Sequence, residues 1–179
     1  MTKIILFRGK AGVGKTTLSN KVSRRLNIPI IRKDDIYDSI AENENNHKLR
    51  NAICEKIIRK LIKTGIENNT TLIIDNPYHH HNQIDEFQEW LKNQGVELIS
   101  ILVICSNENI WKERFNKRKL YPKSNQLITD FDALKIHYNT LETEPIKNEL
   151  VLDSVNEIEQ LAQDSIQYIQ NKNCQNRKF

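Results

Sequence analysis

Five short apolar runs, Ile4–Phe7, Ile28–Ile31, Thr71–Ile74, Leu98–Ile104 and Leu150–Leu152, alternate along this chain with stretches of helical spacing. Runs without polar alternation read as strands covered on both faces. Between them, apolar residues recur at helical intervals: Leu18, Val22 and Leu26; Ile53, Ile57 and Leu61; Ile84, Phe87 and Leu91; Val155, Ile158, Leu161, Ile166 and Ile169. Repeated strand and helix alternation confines the chain to an α/β fold, a parallel sheet with helices on both sides. Punctuation supports the division. Gly65 and Gly95 read as helix C-caps, and Glu42–His47 as a loop. Thr129 to Asp132 reads as a capping box before a helix carrying Leu134, Tyr138 and Leu141.

A chain of 179 residues is expected to form one domain, residues 1–179. With 38% hydrophobic and 28% charged residues it reads as globular and soluble. A net charge of +4 suits anionic ligands and is too small to argue nucleic acid alone. Cys54, Cys105 and Cys174 lack C-x-x-C spacing and read as reduced thiols of a cytoplasmic protein, Cys105 as a small buried hydrophobe. The chain enters its first strand directly, so no signal peptide is expected. No apolar run approaches the roughly 18 residues of a membrane helix.

The first strand leads into Gly9-Lys10-Ala11-Gly12-Val13-Gly14-Lys15-Thr16, which matches G-x-x-x-x-G-K-[ST], the phosphate-binding P-loop or Walker A motif. Glycines let backbone amides approach a polyphosphate, and the following helix, from about Thr17, points its positive end at the same anion. The predicted nucleotide site is Gly9 through Thr17. Lys15 would reach the outer phosphates, and Thr16 would ligate Mg²⁺ through its hydroxyl.

Ligands of such sheets sit beyond the carboxyl ends of the strands. Asp34 and Asp35 follow the second strand. Asp34 is the candidate base for an incoming hydroxyl, and it could also help hold Mg²⁺. Asp35 is a candidate for the acceptor side or for helix capping. Asp75 ends the third strand and has two readings, an acid that holds a metal-bound water or an acceptor contact. Lys112–Lys123 is strongly basic, and Arg114 and Arg118 share a helix face. The segment reads as a lid, about 112–126, that brings arginine charge over the phosphates. Trp111, Phe115 and Tyr121 would pack its base. His79, His80 and His81 read as solvated loop histidines or acceptor contacts rather than a metal site. Residues from about 172 to 179 are expected to fray.

These pieces together resemble the small P-loop kinases of the AAA-type predicted kinase family, relatives of polynucleotide 5′-kinase, zeta toxin and chloramphenicol phosphotransferase. The likeness runs from Lys3 to about Leu141. It implies a 2-3-1-4-5 sheet, ATP and Mg²⁺ at Lys15 and Thr16, Asp34 as general base, Arg114 and Arg118 as lid arginines, and Asp75 in the acceptor pocket. Relatives often carry an arginine three or four residues after the base, to hold an acceptor phosphate. Here Ile36, Tyr37 and Asp38 occupy that stretch, so a small hydroxyl-bearing acceptor is expected rather than a polynucleotide. The rival expectations are a polynucleotide 5′-hydroxyl kinase and an ATP-binding switch or slow ATPase. Nothing in the sequence sets an oligomeric state.

Overall fold

In the computed structural model, residues 2–120 and 123–175 are described, with side chains as far as Lys172. The strands are β1 (Lys3–Arg8), β2 (Ile30–Arg32), β3 (Leu72–Asp75), β4 (Glu97–Ile104) and β5 (Leu150–Asp153). The helices are α1 (Lys15–Leu26), α2 (Lys33–Ile40), α3 (His47–Glu67), α4 (His81–Lys92), α5 (Glu108–Lys117), α6 (Phe131–Asn139) and α7 (Ile158–Gln175). A short 3-10 turn, Arg118–Leu120, follows α5. The strands form one parallel sheet in the order β2-β3-β1-β4-β5, as expected.

The apolar runs explain the layering. Successive side chains of a strand point to opposite faces, so β1 feeds two cores. Ile5 and Phe7 join a core with Leu18, Trp111, Phe131 and Leu161. Ile4 and Leu6 join another with Ile58, Ile62, Ile84 and Phe87. Among the described residues, no helix is long and apolar enough to cross a membrane.

The central strand also carries a buried ion pair. Arg8 and Glu149 have side chains 1% and 0% exposed. Arg8 Nε and Nη2 donate to the two Glu149 oxygens at 2.7 Å, and Nη2 also reaches the Glu144 carbonyl at 2.7 Å. Ser100 of β4 donates to the same carboxylate. The chain between α6 and β5 is thereby fastened to the middle of the sheet.

Several local expectations are corrected. Gly65 does not end α3; it lies inside the helix and faces Leu72, and the turn is made by Asn69 at φ 53°. The cap of α6 is Asp130, whose carboxylate accepts from the Ala133 amide at 2.8 Å, so Thr129 is not its capping residue. Asp34 and Asp35, expected at the close of the second strand, lie in the first turn of α2. Val155 precedes α7 and is exposed. α7 continues to Gln175, past the expected onset of fraying. The expectations for Tyr121, the Cys174 side chain and residues 176–179 lie outside the described residues.

Candidate active site

The carboxyl ends of β1 and β3 lie side by side, with Phe7 opposite Asp75, and Arg32 at the end of β2 is also opposite Asp75. The glycine-rich loop, the start of α2 and the loop after β3 therefore meet at one edge. Gly9, at φ 137°, is fixed by contact: a Cβ there would lie 2.2 Å from the Val103 carbonyl oxygen. Gly14, at φ 98°, is the N-cap of α1, so the loop delivers its backbone to a helix N-terminus. That cradle has the chemistry of an anion site.

A cavity of about 780 Å³ opens over this loop, and Gly12, Gly14, Lys15, Thr16 and Thr17 line it. The rest of the expected nucleotide segment sits elsewhere. Gly9 and Val13 are buried beneath the loop. The Lys10 ammonium rests 5.5 Å over the rings of Trp111 and Tyr138. The Ala11 amide donates to the Tyr138 hydroxyl at 2.7 Å, and the Ala11 carbonyl accepts from Trp111 Nε1 at 2.8 Å. Trp111 and Tyr138 thus shape the loop from behind, a role the sequence did not announce.

Asp75 is 6% exposed and sits against the loop. Its Oδ2 accepts from Thr16 Oγ1 at 2.7 Å and from Ser19 Oγ at 3.4 Å. Burial raises its pKa, and the Asp34 charge adds to the rise; Lys15, Thr16 and Ser19 pull the other way. The geometry puts Asp75 with Thr16 at the glycine-rich loop, where it lines the cavity over that loop. Asp35 is exposed and pairs with Arg32 at 2.8 Å, without capping α2.

A second cavity, of about 640 Å³, lies between α2, α3, α6 and the loop after β3. Lys15, Asp34, Pro77, Arg118 and Gln126 line both cavities. Among the described residues, Asp34 and Arg118 form no ion pair, so each charge is available where the cavities join.

Arg114 does not stand as a free lid arginine. Its Nη1 donates to Ser154 Oγ at 2.7 Å and its Nη2 to the Ser154 carbonyl at 2.9 Å, which holds it beside Gly14. The reason is that α5 is packed: Trp111 and Phe115 are buried at its base, as expected. The part of the basic segment without that anchor begins at Arg118, and beyond it Leu120 and Leu127 are exposed.

The three histidines separate. His79 lines the second cavity and meets Tyr138 edge-on at 5.2 Å between ring centroids. Burial, then the Lys15 charge, lowers its pKa to about 3, so it is neutral near pH 7. His80 caps α4, its amide donating to Gln83 Oε1 at 3.3 Å, and His81 opens that helix. Cys105 is partly buried, with Sγ 3.4 Å from the Asn107 carbonyl.

One wall of the second cavity escaped the sequence reading. His47, Asn51, Glu55 and Arg59 line it, spaced every four residues along α3. Such a row is the polar counterpart of the apolar stripe Cys54, Ile58 and Ile62. The signal was a polar stripe beside a buried one on a single helix.

Comparison with known proteins gives the family and the fold. The AAA_33 model, an AAA domain, matches residues 4–135. The chain belongs to this family. It is also 22% identical, over 165 residues, to an adenylate kinase of Thermotoga petrophila, covering 86% of this chain and 70% of that protein. The fold is shared with a candidate kinase from Chloroflexus aurantiacus at TM-score 0.75 and 15% identity, covering 93% and 98% of the two chains. A gluconokinase from Sinorhizobium meliloti aligns at TM-score 0.67 and 13% identity, covering 99% and 98%. The AAA-family chain therefore has the fold of small P-loop kinases.

Proposed function

We propose that this protein is an ATP-dependent kinase that transfers a phosphoryl group to a hydroxyl of a small-molecule acceptor. The observation that carries the reading is the meeting of two cavities at Lys15, Asp34 and Arg118. One has a glycine-rich anion cradle; the other has a polar wall and no such cradle. A kinase requires a donor site and an acceptor site that share only the transfer point.

The residues have distinct jobs in this reading. The loop amides and Lys15 hold the nucleotide phosphates. Thr16 would hold Mg²⁺, with Asp75 beneath it and Asp34 facing the same cavity. Bound there, the ion would neutralise phosphate charge. Asp34 orients the acceptor hydroxyl and takes its proton as the oxygen bonds to the γ-phosphorus, while the bond from that phosphorus to the bridging oxygen breaks and ADP leaves. Lys15 and Arg118 face the charge that builds on the transferring group. Arg114, tied to Ser154, supports the loop beside Gly14.

The test is ADP release from Mg·ATP against a panel of hydroxyl compounds, using wild type, Lys15→Ala and Asp34→Asn. A compound that stimulates wild type should lose about 10²–10⁴-fold of that turnover in Asp34→Asn. If nothing stimulates and Asp34→Asn matches wild type, the protein is an ATP-binding switch or slow ATPase instead.

A further inference from the structure

The kinase reading leaves open what the acceptor cavity selects, and a hydrogen-bonded group on its far wall addresses that question. Glu55 of α3 has a side chain 32% exposed. Its Oε1 accepts from Arg59 Nε at 2.7 Å. The Tyr78 hydroxyl lies 2.9 Å from Oε2 and 3.1 Å from Oε1. Both Glu55 and Tyr78 line the cavity.

Tyr78 reaches this position at a cost in backbone strain. Its φ is 28°, and the other described non-glycine residues with positive φ are all asparagines. A bulky aromatic in that region is held by its surroundings, and such strain gathers at ligand sites. The ring packs against Phe87 at 5.2 Å between centroids, and the hydroxyl ends on Glu55. A mere helix-surface pair of Glu55 and Arg59, four residues apart, would need no tyrosine. Burial, then the Glu55 charge, pushes the Tyr78 pKa far up, so the phenol stays a donor.

The bonding also limits the ligand. A carboxylate has about four lone-pair sites. Arg59 and the single tyrosyl proton leave part of that capacity unused on a carboxylate that lines a cavity. The Glu55 charge is balanced by Arg59, so it does not call for a cation. Arg59 gives its Nε to Glu55 and lies 4.8 Å over the Trp90 ring, and the Glu55 lone pairs left over take donors such as hydroxyls rather than a phosphate or carboxylate. Lys33, on the same side, rests 4.5 Å over the Tyr37 ring.

We infer that Glu55, held by Tyr78 and Arg59, is the residue that selects the acceptor, and that the acceptor is an uncharged polyol. Two of its hydroxyls donate to Glu55 while a third meets Asp34. The inference rests on the kinase reading for the third hydroxyl and not for the first two.

The experiment compares matched compounds: ethanol, glycerol, ribitol and glucose against glycerate, gluconate and glucose 6-phosphate. ADP release is read in wild type, Glu55→Gln and Tyr78→Phe. Uncharged polyols should stimulate most. Glu55→Gln should raise the polyol KM about ten-fold or more, with a smaller change in the KM for ATP; Tyr78→Phe should raise the polyol KM less. A second reading needs no turnover: polyol-dependent shifts in melting temperature with the nucleotide site filled by a non-hydrolysable ATP analogue. Wild type should shift and Glu55→Gln should not. Preference for the charged compounds, or equal KM and equal shifts in wild type and Glu55→Gln, overturns the inference and leaves the kinase reading standing. A Glu55-dependent shift without any turnover upholds the polyol site and sinks the kinase reading. No shift and no stimulation by any polyol overturns the inference.

Discussion

Asp75 bears its charge where the fold supplies little water. Burial raises its pKa, which makes the charged form a burden on the empty protein. The sign is definite. Between the ordinary value of 3.8 and the raised folded value, the folded state binds more protons than the unfolded one, so stability falls as pH rises through that window. Asparagine has no proton to lose and can still accept from Thr16. Asp75→Asn should therefore melt higher than wild type at pH 7 without ligands, by about 0.5–2 kcal/mol. The gap should shrink as pH approaches 3.8. Mg·ATP turnover should drop about 10–100-fold, as for groups that orient a metal's ligands. Melting curves across pH decide it: a gap independent of pH would show that burial of the charge is not the cause. The sequence offered two roles for Asp75 because position at a strand end sets only a neighbourhood. Its hydrogen bonds to Thr16 and Ser19 depend on how α1 packs over β3, a contact between residues 56 and 59 positions apart.

Elements were the most legible level, for a physical reason. A parallel strand buried on both faces needs a continuous apolar run, and Ile4–Phe7 and Leu72–Ile74 show one without ambiguity. Helix ends were less legible, because glycine serves both caps and close packing. Gly65 serves packing: a Cβ there would lie 2.6 Å from Leu72 Cδ1 and 3.2 Å from Cγ. Two effects compete on Gly65→Ala. Alanine gains about 1 kcal/mol of helix propensity. Overpacking against a buried leucine costs about 1–3 kcal/mol. The contact should win by about 1 kcal/mol net destabilisation, and Gly65→Ala with Leu72→Val should recover part of it. Denaturant melts of both variants check this; a stabilised single variant would mean that Leu72 simply moves aside. The polar stripe His47, Asn51, Glu55 and Arg59 was invisible for the opposite reason. Polar residues opposite an apolar face look like a solvated surface until another layer closes over them, and that layer comes from Tyr78, His79 and α6.

At the scale of the whole molecule, the two cavities are aligned by segments distant in sequence. Arg8 leaves β1 immediately before the glycine-rich loop, and Glu149 enters β5 after the stretch that follows α6. Their buried pair fixes where α6 can lie, and α6 carries the Tyr138 that holds the Ala11 amide. Charge makes this fastening asymmetric. A buried pair is worth little against a well-packed apolar substitute, but removal of one partner strands the other. Arg8→Met would leave the Glu149 carboxylate with the Ser100 hydroxyl and the Ile146 amide and no opposite charge. It should destabilise by about 3–5 kcal/mol. Arg8→Met with Glu149→Leu should recover much of that loss, because neither charge remains buried. Nucleotide binding should not recover in parallel, since the double variant keeps the fold but loses the bond to the Glu144 carbonyl that positions the chain after α6. Urea melts together with ATP affinity at the glycine-rich loop separate the two effects. Recovery of stability with weakened nucleotide binding would show that the pair serves to align the cavities more than to hold the sheet.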